Sequence, residues 1–451
     1  MESKPRRFLS RTESVCPVCL TRLKAWRVAE DGAVFLEKTC PDHGPFRTEI
    51  WGGHIPYEKW NRPKAPSSPE NPATAVTARG CPYDCGLCPE HRQHSCCVLL
   101  EVTARCDLGC PVCFASSGGA AADPPLETLL ETLRDLLTRG GPVNLQLSGG
   151  EPTMRGDLPL LIAEGKAMGH PFFQLNTNGL RFAREPGYAK ALANAGLDCV
   201  FLQFDGVTDD VYTALRGRPL LAQKQAALES CKDAGLGVVL VPTIAQDINT
   251  GQIGDILRFA ARHHPAVRGV HFQPMAFLGR YPSGAPEQRF TLSHLLWEIQ
   301  RQTDESIHMT DFAPGGAENA YCSFSGGFWV EPDGSLRPKR TTRAEATACG
   351  CGSPAPRAAD CAARARAHVA QTWSGSGDAA SPAAETASLD DFLENLRSRT
   401  LAVSAMAFMD AWSLDLDRLR DCYIHVAEGT RLIPFCAYNL TAQNGDRLYR
   451  P

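Results

Sequence analysis

The chain has 451 residues, 46 Lys and Arg against 50 Asp and Glu for a net charge of −4, 43% hydrophobic residues and 21% charged residues. At ~100–200 residues per domain this allows two to four domains, and the balance excludes both a polybasic nucleic-acid binder and a largely disordered chain. The 19 cysteines fall below the ~8–10% of a small disulfide scaffold yet exceed what packing alone uses.

The opening residues MESKPRRFLS lack the apolar core of a signal peptide, and no apolar run approaches the ~18 residues of a membrane span. A cytoplasmic chain is therefore expected, with reduced thiols that hold metal rather than disulfides. Residues 1–62 read as a small metal module. Cys16 and Cys19 lie in CPVC, Cys40 and His43 in CPDH, and the 20-residue spacer between them suits a hairpin. Two facing chelating turns make a tetrahedral site for Zn²⁺ or a rubredoxin-like iron, with a more distant cysteine as the alternative to His43. The Pro/Ser-rich RPKAPSSPENP (62–72) reads as a linker. Next come Cys81, Cys85 and Cys88 in CPYDCGLC. Within a segment 73–97, they suggest a [4Fe–4S] cluster closed by Cys96 in preference to Cys97, with zinc as the alternative.

From 98 to 290 strands alternate with helices. Strands are expected at 98–103, 143–148, 172–177, 198–204, 238–243 and 269–274. The first helix, 123–139, has Asp123 as N-cap and Pro124 in its first turn; Leu126, Leu129, Leu130, Leu133, Leu136 and Leu137 share one face, and Gly140 and Gly141 end it. Further helices are expected at 157–168, 187–195, 219–234 and 252–263. This is an α/β pattern with a parallel sheet, either doubly wound or a partial TIM-like barrel, with ligands at the carboxyl ends of the strands. Cys106, Cys110 and Cys113 stand in CDLGCPVC, a C-x3-C-x2-C loop directly after the first of these strands. Three thiolates on one loop grip three corners of a [4Fe–4S] cube and leave the fourth iron open. After the second strand, SGGEPT (148–153) offers glycines for close backbone approach and the Glu151 carboxylate beside the cluster mouth. Cys199 and Cys231 read as small buried hydrophobes.

Beyond 290 the regularity fades. Residues 341–388, rich in Ala, Gly, Ser, Pro and Arg, read as a low-complexity insertion or linker between the C-terminal parts 291–340 and 389–451. Cys322, Cys422 and Cys436 suggest a further cluster in that C-terminal region, with Cys349, Cys351 and Cys361 as candidates for its fourth ligand. The apolar MAFM (406–409) suits a core helix, or else the wall of a lipid channel.

The C-x3-C-x2-C loop after one strand, GGEP after the next and six β/α units resemble the radical S-adenosylmethionine (SAM) superfamily. The wider set of CPVC…CPDHG, RGCPYDCGLCPEH, LLEVTARCDLGCPVCFA and MAFMDAW…CYIH…IPFCAYN is similar to the archaeal tetraether lipid synthase group and to its 7,8-dihydro-6-hydroxymethylpterin dimethyltransferase-like relatives, the class D radical SAM methyltransferases. The resemblance implies a cluster on Cys106, Cys110 and Cys113 that binds and reductively cleaves SAM to a 5′-deoxyadenosyl radical. Gly149, Gly150, Glu151 and Pro152 would then contact the SAM amino group, Asn176 and Asn178 its ribose or carboxylate, and Phe114 would lie near the adenine. It further implies two auxiliary clusters, a mononuclear N-terminal metal, a flavodoxin- or ferredoxin-type reductant, and no nucleic-acid partner. Methylation or C–C bond formation on a lipid or a pterin-like molecule both remain open, with membrane-surface contact if the substrate is lipid. A peptide-modifying maturase and a non-catalytic electron carrier are the alternatives.

Overall fold

The computed structural model describes residues 5–68, 78–118, 122–282, 289–339, 355–374 and 399–450. The N-terminal module is an antiparallel meander of β1 (Arg7–Val15), β2 (Arg22–Glu30), β3 (Ala33–Cys40) and β4 (Gly44–Trp51). Its β2–β3 turn is Asp31-Gly32, both with positive φ, the backbone a two-residue hairpin requires. The module is docked rather than free. Lys38, buried on β3, donates to Ser14 Oγ at 2.9 Å and to the carbonyls of Ala411 and Trp412 at 2.7 and 2.9 Å. Arg27 forks onto Asp415, with two contacts of 2.8 Å. These charges are taken out of water only because each meets several fixed partners.

The large sheet is built on β5 (Cys97–Thr103), β6 (Asn144–Gly149), β7 (Phe172–Thr177), β8 (Cys199–Gln203), β9 (Gly237–Val241), the short β10 (Thr243–Ile244) and β11 (Val267–Pro274). From β5 to β9 and then β11, the neighbours are parallel and in chain order. A doubly wound sheet reverses its order at a switch point. No reversal occurs among these six strands, so the fold is the partial (β/α)6 barrel. The chain then continues through β12 (Ala313–Pro314), β13 (Ser323–Val330), β14 (Leu336–Pro338), β15 (Thr400–Met406), β16 (Ile424–Glu428) and β17 (Arg431–Pro434). The strand β15 adds in parallel to β11, and β16 adds in parallel to β5. One C-terminal stretch thus covers both edges that an unclosed barrel leaves exposed.

Several local expectations differ. The first barrel helix begins at Leu126, and Asp123 is no N-cap: its carboxylate takes hydrogen bonds from Thr103 Oγ1 and Arg105 at the barrel mouth. Helices Leu180–Arg184 and Asp209–Arg216 are too short to announce themselves by periodicity. Residues 406–409 are not a helix; Met406 ends β15 and the chain continues as a loop. Within 341–388, residues Ala358–Trp373 form a helix packed on the sheet. Cys349, Cys351 and residues 389–398 lie outside the described residues. Among the described residues, no helix is long and apolar enough to cross a membrane.

Candidate active site

Side chains alternate across a strand, so every second residue of the barrel strands faces one interior cavity. Cys106, Cys110 and Cys113 line that cavity at the carboxyl ends of the strands, with Phe114 beside them. The loop carrying them is fixed from three directions. On one side, β6 staples to it: the Gly150 N–H donates to the Thr103 carbonyl at 2.7 Å, and the Glu151 N–H to that of Arg105 at 2.8 Å. Only glycine permits this approach. A Cβ on Gly149, whose φ is +119°, would sit 2.3 Å from the Thr103 oxygen, and one on Gly150 would sit 2.1 Å from the Arg105 oxygen. On another side, Arg280 donates to the Cys110 carbonyl at 2.7 Å and exchanges backbone hydrogen bonds with Cys113 at 2.8 and 2.9 Å. From below, buried Arg216 donates to the Val112 carbonyl at 3.1 Å while holding Asp205 through two 2.7 Å contacts. Asp205 beside it keeps that guanidinium firmly charged despite its burial. Sequence reasoning missed Arg216, Asp205 and Arg280, because no motif spacing links them to the cysteines.

Glu151 does not offer a free carboxylate. It is fully buried and accepts from Thr153 N and Oγ1 (3.1 and 2.6 Å), Thr177 Oγ1 (2.7 Å) and Asn178 N (2.7 Å). Burial raises its pKa and these donors oppose the rise. Its work is to tie the end of β6 to the end of β7. Asn178 is likewise occupied: its Nδ2 donates to Asp107 within the cysteine loop at 2.7 Å, and its Oδ1 accepts from the Leu180 N–H at 2.9 Å. Asn178 is thus a clamp and turn residue that also lines the cavity. Pro152 starts a single 3₁₀ turn behind the glycines. By contrast, Asn176 faces the cavity, and Phe114 stands at its mouth, 37% exposed and edge-on to Phe435 with centroids 5.4 Å apart. Lys224, buried beneath this corner, donates to the Asn178 carbonyl at 2.5 Å and to Gln203 Oε1 at 3.1 Å. Burial pushes its ammonium down to about 8.

Deeper in the barrel the wall is made of amides. Gln146 (β6), Gln174 and Asn176 (β7), Gln203 (β8) and Gln273 (β11) all line the cavity, with His271 among them. Gln174 Nε2 donates to Asn176 Oδ1 at 2.8 Å, and Asn176 reaches Gln146 at 3.4 Å. His271 is held by Ser404 Oγ at 2.9 Å, and burial brings its imidazole down to about 4, so the ring is neutral at pH 7. In a TIM barrel these interior positions are mostly bulky and branched. Amides here spend part of their capacity on one another and on Lys224 and leave the rest of their donors and acceptors to a bound molecule.

The remaining cysteine groups separate by place. Cys16, Cys19, Cys40 and His43 bring their ligand atoms within 4.8 Å of one another, with His43 Nδ1 3.4 Å from Cys40 Sγ. That cage has the size and donor set for one tetrahedral ion. Cys81, Cys85 and Cys88 are buried together in a loop on the C-terminal region, where the Tyr449 hydroxyl accepts from the Cys85 N–H at 2.8 Å. Cys96 does not close that group: it lines the barrel cavity beside Cys97, with Arg366 and Glu318 as its charged neighbours. The reason is local, because Cys96 leads directly into β5 and its N–H donates to the Tyr423 carbonyl at 2.9 Å. Cys322, Cys422 and Cys436 come together from distant parts of the chain. Burial raises the pKa of Cys322 and pushes that of Cys436 up to about 12, opposed by Arg418, which approaches Cys322 Sγ at 3.4 Å, and by the Met409 N–H, which approaches Cys436 Sγ at 3.3 Å. Cys361 lies buried on the helix Ala358–Trp373. Cys199 and Cys231 are buried and apolar in setting.

A family model described as the HMPTM N-terminal zinc ribbon domain matches residues 8–52, and one described as the radical SAM superfamily matches residues 100–260. The chain is similar to the 7,8-dihydro-6-hydroxymethylpterin dimethyltransferase of Methanocaldococcus jannaschii, 34% identical over 478 aligned positions that cover 95% of this chain and 93% of the relative. It is also similar to the mycofactocin maturase MftC of Mycobacterium ulcerans, 31% identical over 40% of this chain and 47% of that one. Among solved structures, methylornithine synthase matches with a TM-score of 0.37 and 16% identity over 47% of this chain and 62% of that chain.

Proposed function

The chain is a radical SAM enzyme and belongs to the family of the 7,8-dihydro-6-hydroxymethylpterin dimethyltransferase, and from that premise we propose that it methylates a pterin-like small molecule inside the barrel. The observation that carries this reading is the amide wall of Gln146, Gln174, Asn176, Gln203 and Gln273. A flat heterocycle with alternating donors and acceptors can satisfy these groups. An alkyl chain would leave unpaired those amide donors and acceptors that are not spent on one another or on Lys224, at about 1–3 kcal/mol each. The apolar Met406 and Phe408 form one side of the cavity and suit the face of such a ring.

Cys106, Cys110 and Cys113 hold the [4Fe–4S] cluster of the family in this reading. The thiols share one loop, open onto the cavity and have glycine backbone opposite, which fits a cube with one iron left for SAM. When bound, that group supplies the electron that cleaves one SAM to methionine and a 5′-deoxyadenosyl radical; that methionine keeps its methyl, so the transferred carbon comes from a second donor, a further SAM or a reduced one-carbon carrier. The protein's own part is positional. Gly149 and Gly150 bring backbone against the SAM side of the loop. Arg216, Arg280, Glu151 and Asn178 keep the loop from shifting, and Asn176 and Phe114 face the cofactor's polar and aromatic ends. The covered barrel excludes water from the reacting carbon.

Cys16, Cys19, Cys40 and His43 hold a structural Zn²⁺ through a closed ligand set. Cys81, Cys85 and Cys88 on one hand, and Cys322, Cys422 and Cys436 on the other, hold auxiliary clusters whose fourth ligands come from elsewhere than Cys96. A small flavodoxin- or ferredoxin-type protein delivers the electrons.

The test is anaerobic incubation of iron-loaded protein with SAM, a strong reductant and 6-hydroxymethyl-7,8-dihydropterin, read by mass spectrometry. Methylated pterin together with 5′-deoxyadenosine is expected. Cleavage of SAM with no methylated pterin, whether excess SAM alone or an added reduced one-carbon carrier serves as methyl donor, overturns the pterin reading.

A further inference from the structure

The opposite end of the barrel from the cysteine loop is closed by a segment whose sequence reads as filler. The parallel strands begin at Cys97, Asn144, Phe172, Cys199 and Gly237, and above them the interior is an open cavity lined by amides as well as apolar side chains, so the lower opening needs a cover if the cavity is to be dry. The helix Ala358–Trp373 lies across it. Val369, Ala370 and Trp373 pack onto Phe172, Cys199, Phe201 and Val239. The helix is pinned to the strand starts at its middle: Asn144 Nδ2 donates to the Arg366 carbonyl at 3.2 Å, and Arg366 Nη1 donates to the Ser95 carbonyl at 2.9 Å. At its end, the Trp373 ring sits 4.9 Å from Phe201 and 6.3 Å from His271, centroid to centroid, and lines the same cavity as the three cysteines.

We propose that this helix is the floor of the reaction cavity and that Trp373 is a specificity-determining residue, setting how deep a planar substrate descends and so which carbon it presents to the radical. The substrate class rests on the pterin reading given above, whereas the floor itself does not. A helix that covered the barrel only to bury it would have no need to show an indole to the cavity beside a neutral histidine and a ring of amides. An aromatic shelf under a hydrogen-bonding wall instead gives a flat heterocycle a face to rest on and an edge to read.

The test uses iron-loaded enzyme carrying Trp373→Ala or Trp373→Phe, with 6-hydroxymethyl-7,8-dihydropterin as substrate. The alanine variant is expected to raise KM about 10-fold, on the scale of losing a well-filled pocket contact, with kcat falling much less. The phenylalanine variant, which keeps an aromatic face, is expected to recover most of that loss. An unchanged KM in the alanine variant, with the methyl group placed on the same carbon as by wild type, overturns the proposal. A second readout needs no substrate. Cys96 and Cys97 line the cavity above the floor, so a maleimide should label them faster in Trp373→Ala than in wild type, located by peptide mass spectrometry. Equal labelling overturns the floor. Should wild type not turn over the pterin at all, the pterin reading fails while the labelling still decides the floor.

Discussion

The chain carries the C-x3-C-x2-C spacing twice, at Cys81–Cys85–Cys88 and at Cys106–Cys110–Cys113, and the structure puts the two loops in different surroundings. The earlier loop is sealed: its three cysteines are 6, 6 and 8% exposed, the Tyr449 hydroxyl covers it, and the charge of Arg420 lies beside Cys81. The later loop has Cys106 and Cys113 partly exposed and opens into a barrel. Spacing tells which atoms can be ligated. What lies over them decides whether a second molecule can reach the metal, which is the difference between an electron store and a reaction centre.

The sharpest way to break this comparison is to remove one thiol from each loop. Cys106→Ala is expected to drop 5′-deoxyadenosine formation to the level of an enzyme-free control, while Cys81→Ala keeps SAM cleavage and loses iron. Cleavage abolished by Cys81→Ala with the Cys106 cluster intact would reverse the assignment. A smaller effect tests what holds the open loop still. Arg216→Met leaves Asp205 buried and unpaired, so it should cost about 3–5 kcal/mol in denaturant unfolding. Arg216→Met with Asp205→Asn should recover part of it. No such cost is expected from Arg139→Met, whose partner Asp135 lies on an exposed helix face. The mildest is Gly150→Ala. Its Cβ would meet the Arg105 carbonyl oxygen at 2.1 Å, which should cost about 1–3 kcal/mol of overpacking and weaken SAM binding measured by equilibrium dialysis. Stability and SAM affinity both unchanged would show that β6 need not touch the loop so closely.

Much of the fold was legible because the barrel is a local repeat. The six strands appear within a residue or two of their expected places, since runs such as FFQLNT bury apolar side chains at short, regular intervals. The cysteine loops were legible for the same reason, each being a few residues long. That Glu151 and Asn178 brace the strand ends was not legible, because a residue's own neighbours in sequence do not reveal which donors arrive from the next strand. Cys96 was misassigned because closeness in sequence to Cys88 was taken for closeness in space, whereas entry into β5 turns it toward the barrel. The helix Ala358–Trp373 was hidden by composition: alanine favours a helix, but the segment carries little periodic signal and lies within a stretch rich in Gly, Ser and Pro.

By itself, then, the sequence determined the chemistry available: which thiols sit on which loops, that strands and helices alternate between about 98 and 275, and that the cysteines are grouped at the spacings metal ligands need. Those are properties of contiguous residues and of period. The tertiary structure alone decided which loop opens onto the barrel cavity, which carboxylates and guanidiniums are spent as braces, and that side-chain amides and the Trp373 indole line that same cavity. Each of those depends on residues tens to hundreds of positions apart meeting where water has been excluded, and no local pattern encodes that meeting.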